Sequence, residues 1–357
     1  MKKLKVGIAS TDWSKSIFDR TGAPVSGGSG WVRLQQLRPH VEFGTITGTL
    51  IYHQTKGFGI ADHYGNLHHN FDIIIMQRLM FKDLIRTLKI EKSKPNRPYI
   101  INDVDDWYWG LDPANAAYEL TDPSKNKDEN IEHYKAILEL SDAITTSTPF
   151  LEKKMKEWLK HKNVYLLENC VTVNDFAVRR MGTKRPIVGW VGSTSHRSRD
   201  LEELNGVFQG SWRFHHSGHI PGAPTFADAV GVPHNRVRTS PMLPPQQYAK
   251  ASFCFDIGIA PLSDKPFNHA KSWIKAIEYA SAGVPFVASN APEYERLHDE
   301  YGIGRLASNQ DEWFGNLIEL TNYKVRKEEA IKQRELVKAL DVKVMAKRWQ
   351  EIVLRSL

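Results

Sequence analysis

Short apolar runs alternate along the chain with longer stretches in which apolar residues recur every three or four positions. In the first half, the apolar runs predict strands over residues 6–9, 71–76, 99–102, 143–146 and within 163–171. The stretches with helical spacing predict helices over residues 79–88, 131–140 and 150–159. This alternation is typical of a parallel sheet with helices on its faces.

The alternation begins again after residues 172–185, which are polar and basic and mark the expected domain boundary. Further strands are predicted over 186–191, 212–215, 256–261 and 285–288, with helices over 199–208 and 269–282 and a basic helical tail over 323–357. The predicted fold class is α/β, with two doubly wound, Rossmann-like domains facing a cleft. We expect these domains at residues 1–170 and 171–335, followed by a last helix at 336–357.

Composition supports two globular domains. The 357 residues are 41% hydrophobic and 25% charged, which is enough to build two ordinary cores. No run approaches eighteen apolar residues, so no membrane span is predicted, and residues 6–9 are too short for the core of a secretion signal. The two cysteines, Cys170 and Cys254, exclude a disulfide framework and a structural zinc site. We therefore expect a cytoplasmic protein.

The chain is basic, with a net charge of +7 and a pI of about 9.1. Such an excess suits an anionic partner, which could be a nucleic acid, an acidic membrane surface or a phosphorylated substrate. An enzyme with a basic surface fits the charge equally well.

Residues 256–289 form the most informative segment. A predicted strand is followed by a polar loop, a helix and a second strand. Lys271, Lys275 and Glu278 have the i, i+4, i+7 spacing of one helix face. Lys271 and Ser272 would lie in the first helical turn, where backbone N–H groups attract an anion, and Glu278 could accept hydrogen bonds from a ribose diol. The alternative is a solvated face of surface ion pairs.

A second candidate site is the turn after the strand at 186–191. Gly192, Ser193 and Thr194 could bring backbone amides and hydroxyls close to a phosphate, with Arg197 or Arg199 neutralising its charge. The glycine spacing is that of neither a P-loop nor a dinucleotide fingerprint, so an ordinary turn is the alternative.

Two further features lie in the first half. Gly27, Gly28 and Gly30 precede a predicted helix and would let the backbone approach a ligand closely, although a flexible surface loop has the same composition. Asp103, Asp105 and Asp106 follow a predicted strand and could ligate a divalent cation or supply a general base. Helix capping with solvated carboxylates is the alternative.

The histidines at 215, 216 and 219 lack the pattern of a metal site. We expect loop or substrate contacts for them. The aromatic residues at 107–109 could stack on a sugar ring or a flipped base, or could belong to the core.

Taken in order, these segments resemble the GT-B class of nucleotide-sugar glycosyltransferases, in particular the glycosyltransferase family 1/4 group. The resemblance spans nearly the whole chain and is most specific over residues 256–289. It implies an N-terminal acceptor-side domain, a C-terminal nucleotide-sugar-binding domain and a last helix, with Trp349 and Val353, that crosses back to the first domain. The implied donor-binding residues are Gly27, Gly28, Gly192, Ser193, Thr194, Arg197, Arg199, Leu243, Asn268, Lys271, Ser272, Lys275 and Glu278.

One position departs from the pattern of that group. Retaining members of that group often carry a second glutamate eight residues before the glutamate that corresponds to Glu278. In this sequence that earlier position is Ala270. The departure favours an inverting reaction, in which an acid such as Asp103 deprotonates the acceptor.

A narrower resemblance is to phage DNA glucosyltransferases, in which a strand ends in a general-base aspartate. Asp103 would be its counterpart, and Ser193, Arg197 and Arg199 would bind phosphate. This resemblance and the basic charge imply double-stranded DNA carrying a hydroxymethylated base as acceptor, with the protein in the host cytoplasm.

The sequence thus predicts sugar transfer from a nucleoside diphosphate sugar, with a UDP- or GDP-sugar favoured, to an acceptor hydroxyl. Neither a metal nor another cofactor is expected, because basic side chains would offset the charge of the leaving diphosphate. A saccharide, a lipid-linked sugar and a protein side chain are alternative acceptors. Two rival functions are an epimerase with the same phosphate site and a non-catalytic DNA-binding protein, which would bind DNA with a steep salt dependence.

Overall fold

The computed structural model describes residues 4–11, 13–18, 24–26, 28–111, 113, 118, 130–159, 163–182, 185–194 and 198–355. The chain divides into two compact units. The first comprises Met1–Leu111, Tyr118–Asn169 and Val342–Leu357, and the second comprises Asp112–Ala117 and Cys170–Asp341.

The first unit is built on an eight-stranded sheet. Its strands are β1 (Lys5–Ser10), β4 (Gly44–His53), β5 (Gly57–Ala61), β6 (Leu67–His68), β7 (Ile73–Gln77), β8 (Tyr99–Val104), β9 (Ala143–Thr146) and β10 (Val164–Leu166), and a separate antiparallel ribbon contains β2 (Trp13–Phe18) and β3 (Pro24–Ser26). The sheet order is β10-β9-β8-β7-β1-β4-β5-β6. The strands from β10 to β4 run parallel, as the alternation predicts, whereas β5 and β6 extend the edge as antiparallel strands that the sequence pattern did not predict.

Helices of the first unit pack on the buried strands. They are α1 (Lys82–Lys92), α2 (Asn130–Leu140) and α3 (Pro149–Leu159). Leu84 and Leu88 of α1 and Ile137 of α2 lie in one core with Ile74 and Ile100 of the sheet. Before β4, the chain forms a helical turn at Gly28–Gly30 and a π-helical segment at Trp31–Gln35.

The second unit is built on a six-stranded sheet that is parallel throughout. Its strands are β11 (Ile187–Val191), β12 (Arg213–His219), β13 (Val237–Pro241), β14 (Ile257–Ala260), β15 (Phe286–Ser289) and β16 (Arg305–Ala307). Their order is β13-β12-β11-β14-β15-β16, so the first strand lies centrally and the chain winds outward in both directions. This is the strand order of the dinucleotide-binding Rossmann fold, in which ligands bind beyond the carboxyl ends of the central strands.

Seven helices of the second unit are described: α4 (Ser198–Glu202), α5 (Phe226–Val230), α6 (Pro245–Ala251), α7 (Ile274–Ser281), α8 (Pro292–Tyr301), α9 (Gln310–Glu319) and α10 (Tyr323–Leu336). Trp190 and Phe214 of the sheet, Phe226 of α5 and Trp313 of α9 share one core. The helix predicted over 199–208 is wrong in length, since α4 ends at Glu202 and turns follow.

The helix predicted over 269–282 starts later than expected. Residues Asn268–Ala270 form a 3-10 turn, Lys271 is extended with φ −70° and ψ 130°, and α7 begins at Ile274. The prediction that Lys271 and Ser272 lie in a first helical turn, and that Lys271 shares a helix face with Lys275, is therefore wrong. A tertiary contact favours this conformation, because Asp200 of α4 holds the Asn268 side chain at the start of the segment.

The chain returns to the first unit through its last helix, α11 (Val342–Arg355). The Trp349 ring lies 5.3 Å from that of Phe43, and the Glu42 N–H donates to Gln350 Oε1 over 2.9 Å. Among the residues described, we find no helix with the length and apolar character that crossing a membrane requires.

Candidate functional site

The turn after β11 is held in place by the neighbouring strand. The Gly192 N–H donates to the Ser217 carbonyl over 2.8 Å, and the His216 Nε2 lies 2.9 Å from the Gly192 carbonyl oxygen. Thr194 donates its hydroxyl to the Pro224 carbonyl over 2.6 Å. These contacts fix the backbone of residues 192–194 at the carboxyl end of the central strand, where the Rossmann order predicts ligand binding.

Gly192 is required by this geometry. Its φ of +146° is rarely adopted by other residues, and a Cβ would lie 3.1 Å from the Trp190 ring and 3.3 Å from Lys275 Nζ. The strand β12 also lies close to this turn, since a Cβ on Gly218 would be 2.6 Å from the Gly192 carbonyl oxygen. Glycine at both positions therefore allows β11, β12 and Lys275 to pack closely around the turn.

Lys275 of α7 joins the helix to this turn. Its ammonium group donates to the Val191 carbonyl oxygen and lies 5.0 Å from the centre of the Trp190 ring. The side chain is buried, and burial of a cation is costly unless hydrogen bonds or opposite charge offset it. Lys275 thus places a positive charge beside the Val191 carbonyl and Gly192.

Glu278 lies one turn further along α7 and meets a second element. Its Oε2 accepts a hydrogen bond of 2.6 Å from the Tyr248 hydroxyl of α6. Leu243, which the GT-B resemblance places where members of that class often hold the nucleotide base, is half-buried just before α6. Sequence reasoning missed Tyr248. The available signal was the pair of prolines three and four positions before it, which is typical of a helix start.

Four further predicted donor residues and Gly27 fall into three groups. Lys271 and Ser272 are half-buried, with Lys271 Nζ 4.2 Å from the centre of the Phe267 ring. Arg199 is exposed on α4. Gly27 in the first unit and Arg197 in the second lie outside the described residues.

Asn268 serves an internal network. Asp200 Oδ1 accepts hydrogen bonds from the Asn268 amide over 2.7 Å, from the Ser263 hydroxyl over 2.8 Å and from the Ser263 N–H over 3.1 Å. The Asn268 amide also donates to the Ser263 carbonyl over 2.9 Å. All three residues are buried, so this network shapes the loop between β14 and α7.

In the first unit, Asp103 is fully buried and holds Arg33. Its Oδ1 accepts from Arg33 Nη2 over 2.7 Å and its Oδ2 from Arg33 Nε over 3.1 Å. Thr145 and Gln77, its cross-strand partners on β9 and β7, donate to it over 2.7 Å and 3.1 Å. Sequence reasoning missed Arg33, because a basic residue beside a glycine loop gives no sign of burial.

Arg33 connects this carboxylate to the segment that begins at the glycines. It also donates to the Leu167 carbonyl and, over 3.0 Å, to Asn169 Oδ1. Gly28, with φ +47°, is exposed at the start of the same segment. The bidentate ion pair thus anchors the π-helical segment to the carboxyl end of β8.

The three aspartates differ in position and surroundings, since Asp103 is in β8 whereas Asp105 and Asp106 follow it. Asp105 is buried and accepts from the Tyr108 hydroxyl over 3.0 Å, whereas Asp106 is half-buried. Burial, together with the Asp105 charge, raises the pKa of Tyr108 well above its usual value, so the hydroxyl stays protonated. In the part of the chain that the structure describes, no three His, Cys, Asp or Glu side chains are grouped to hold a metal ion. The alternative that these three aspartates hold a cation together therefore has no support among the described residues.

The aromatic residues beside them pack on one another. The Trp107 and Trp109 rings are 5.1 Å apart, and the Trp158 ring of α3 lies 5.9 Å and 4.3 Å from them. The Trp109 ring also stacks on Tyr134 of α2 at 5.8 Å. The rings therefore contribute to packing between α2, α3 and the end of β8, and Trp107 and Trp109 are half-buried.

The histidines of β12 serve two faces of the sheet. His215 Nε2 lies 2.8 Å from the Ser240 hydroxyl, whereas His216 contacts the Gly192 carbonyl. Burial lowers the pKa of both histidines, because the charged ring is disfavoured away from water. His216 thus holds the turn as a neutral ring.

No protein-family model matches the sequence. A relative from Bacillus subtilis (strain 168), TuaH, described as a teichuronic acid biosynthesis glycosyltransferase, is 25% identical over 179 residues. The match covers 46% of this chain and 44% of the relative, so the chain spans less than half the length of that protein.

Solved structures match over nearly the whole chain. Sucrose-phosphate synthase of Thermosynechococcus elongatus has a TM-score of 0.66 at 14% identity and is matched over 99% of both chains. Anabaena HepE, solved with UDP and glucose, has a TM-score of 0.62 at 13% identity over 99% of this chain and 100% of that chain. A glycosyltransferase from Rickettsia africae has a TM-score of 0.61 at 11% identity over 100% of this chain and 99% of that chain. The chain has the GT-B fold.

The GT-B fold assigns the two units to its two Rossmann-like domains. The turn at 192–194, Lys275 and Glu278 all belong to the second of them, which has the complete parallel Rossmann order. The buried Arg33–Asp103 pair belongs to the first.

Proposed function

We propose that the protein is a glycosyltransferase that moves a sugar from a nucleoside diphosphate sugar to an acceptor hydroxyl. The observation that carries this proposal is the buried Lys275 ammonium group beside the glycine turn at the carboxyl end of β11. A cation next to a glycine turn at the end of a central strand suits a diphosphate. HepE has been solved with UDP and with UDP-glucose, which supports a UDP-sugar as the donor.

In this reaction, the bond between the sugar C1 and the diphosphate oxygen breaks, and its electron pair goes to the diphosphate. The acceptor oxygen bonds to C1 and loses its proton to a base. Lys275, Lys271 and the backbone N–H groups of residues 193 and 194 would stabilise the charge that grows on the leaving diphosphate. Glu278 would accept hydrogen bonds from the ribose.

The proton acceptor that we propose is Asp106. Asp103 already accepts four hydrogen bonds in a fully buried ion pair, which suits an anchor for Arg33 better than a base that meets a substrate. Asp106 is half-buried beside Trp107, at the carboxyl end of the same strand. An external base is what an inverting reaction requires, and Ala270 at the position of the second glutamate favours inversion.

The proposed acceptor is a saccharide hydroxyl. Support comes from HepE, which has been solved with UDP and glucose, and from TuaH, whose description assigns it to teichuronic acid biosynthesis. A second candidate acceptor is a hydroxymethylated base in double-stranded DNA, which the net charge of +7 favours.

Calorimetric titration with UDP, GDP and ADP tests the donor site. We expect one nucleotide to bind, and Lys275→Met to weaken that binding by roughly 10- to 100-fold, the loss of one hydrogen bond to a charged group. Lys327→Ala removes an exposed lysine of α10 and is the matched control, with unchanged binding. Absence of binding by every nucleotide would contradict the proposal.

A transfer assay then separates the acceptors. The wild-type protein is supplied with the sugar conjugate of the bound nucleotide and with neutral oligosaccharides, acidic oligosaccharides, a 5-hydroxymethylcytosine duplex or an unmodified duplex. Transfer to an oligosaccharide supports the saccharide acceptor, whereas transfer to the hydroxymethylated duplex alone replaces it with DNA. Tight, salt-sensitive binding of both duplexes without turnover would favour the DNA-binding alternative.

A further inference from the structure

Tyr248 contacts the carboxylate that the proposed function assigns to the ribose. Its hydroxyl donates to Glu278 Oε2 over 2.6 Å, a short distance typical of a hydroxyl bonded to an ionised carboxylate. The two residues are on different elements, α6 and α7, and are 30 positions apart in the sequence. The bond therefore joins the segment after β13 to the helix that carries Lys275.

A hydrogen-bond donor suits the surroundings of Glu278. Glu278 lies in the second half of α7, where the helix dipole disfavours a negative charge. The terminal torsion of a glutamate is broad, so its carboxylate plane is poorly defined without a partner. A donated hydrogen bond both favours the ionised form and restricts the orientation of the carboxylate.

The Tyr248 ring is itself fixed relative to α7. It makes an edge contact with the Phe253 ring at 5.4 Å, and Phe253 in turn contacts Tyr279 at 6.0 Å. Tyr279 is the residue next to Glu278 on α7, and its hydroxyl donates to the Ile259 carbonyl over 2.9 Å. These contacts connect the donor hydroxyl and its acceptor through one aromatic cluster.

We propose that Tyr248 is a positioning residue that orients Glu278 toward the ribose hydroxyls, and so makes the donor site select ribonucleotides over 2′-deoxyribonucleotides. The inference rests on the proposed function, because it takes Glu278 as the ribose contact. A carboxylate held in one plane can accept from both hydroxyls of a ribose diol, whereas a deoxyribose offers only one of them. Leu243 is just before α6, so base and ribose would be recognised by one connected segment.

The test compares calorimetric binding of UDP with that of 2′-deoxy-UDP. We expect the wild-type protein to prefer UDP by about tenfold or more, since one hydrogen bond to a charged group is worth about 1.5–3 kcal/mol. Tyr248→Phe is expected to reduce that preference to about threefold or less by weakening UDP and leaving 2′-deoxy-UDP nearly unchanged. Glu278→Gln should reduce the preference in the same way.

Tyr99→Phe is the matched control. It also removes a partly buried tyrosine hydroxyl, but that hydroxyl donates to the Asp142 carbonyl in the first unit. It should keep the wild-type preference. If Tyr248→Phe keeps the preference, or weakens both nucleotides equally, the inference is overturned while the donor site stands. If the wild-type protein binds neither nucleotide, the proposed function fails and takes this inference with it.

Discussion

At the scale of single residues, the first unit depends on a row of polar side chains at the carboxyl ends of its strands. Ser10, Gln77, Asp103 and Thr145 are in register across β1, β7, β8 and β9, and hydrogen bonds join each of the first three to the next. Arg33 completes the row by pairing with Asp103. Removing one partner of such a buried ion pair leaves the other charge uncompensated and lowers the stability of the fold.

We therefore expect Asp103→Asn to lower the free energy of unfolding by about 3–5 kcal/mol, because Arg33 would stay buried without an opposite charge. Urea denaturation followed by tryptophan fluorescence measures this change. Asp106→Asn is the control, with a much smaller loss of stability but a large loss of transfer. Equal unfolding midpoints for wild type and Asp103→Asn would contradict the role of Asp103 as an anchor.

Two glycines of the second unit, Gly192 and Gly210, allow a matched pair of substitutions. Gly192→Ala places a Cβ against Trp190 and Lys275 at a φ of +146°, and we expect it to weaken nucleotide binding by at least about tenfold. Gly210→Ala imposes a similar backbone penalty at φ +85° but meets no atom within 4 Å. Its nucleotide binding, measured by the same titration, should equal that of the wild type. Similar losses in both variants would show that backbone strain alone is responsible.

At the scale of elements, the sequence predicted the buried parallel strands well, because their apolar runs are continuous. The prediction for residues 143–146 coincides with β9, and the predicted helix at 150–159 differs from α3 by one residue. The strand β4 was missed, although Thr, Ile and Tyr dominate it, because its half-exposed residues interrupt the apolar run.

The candidate site was harder to predict because its geometry is set by distant residues. The sequence pattern identified Lys275, Glu278 and Gly192. It gave no sign that Asp200 on α4 holds Asn268, or that Tyr248 reaches Glu278 from α6. Local spacing therefore suggested a continuous helix where long-range hydrogen bonds impose a 3-10 turn and an extended Lys271.

The Asp200 network leads to a prediction for the loop between β14 and α7. Asp200→Ala leaves the Asn268 amide and the Ser263 N–H without their shared acceptor, so we expect backbone amides of residues 263–271 to exchange hydrogen faster. Hydrogen–deuterium exchange mass spectrometry measures this effect. Asp264→Ala, which removes an exposed carboxylate paired with His269, should leave the exchange unchanged. Unaltered exchange in Asp200→Ala would show that the loop is held by other contacts.

At the scale of the whole molecule, buried histidines make stability depend on pH. In the unfolded chain, histidines take up protons near their ordinary pKa of about 6.5, whereas burial lowers the pKa of His215 and His216 in the fold. The unfolded state therefore binds more protons as the pH falls. Nearby positive charges act in the same direction, namely Lys275 and His219 on His216, and Arg238 and Arg179 on His215.

The free energy of unfolding should consequently decrease as the pH is lowered from about 7.5 to 5.5. Urea denaturation at several pH values gives the slope. His216→Phe keeps a flat ring between Trp190 and Phe226 and should show a shallower slope, whatever its stability at neutral pH. Lys327→Ala, which removes an exposed lysine of α10, should leave the slope as it is in the wild type. A wild-type slope in His216→Phe would assign the pH dependence to other groups.

The return of α11 to the first unit has a consequence for the order in which the protein is made. Ribosomes add residues from the N-terminus, so residues 1–169 emerge long before Trp349, the buried ring that contacts Phe43. The second unit ends at Asp341, so all of its residues have been synthesised before synthesis of α11 begins. The unit whose synthesis begins first is therefore the unit whose core is completed last. Until α11 has been synthesised, the Phe43 ring lacks its contact with Trp349.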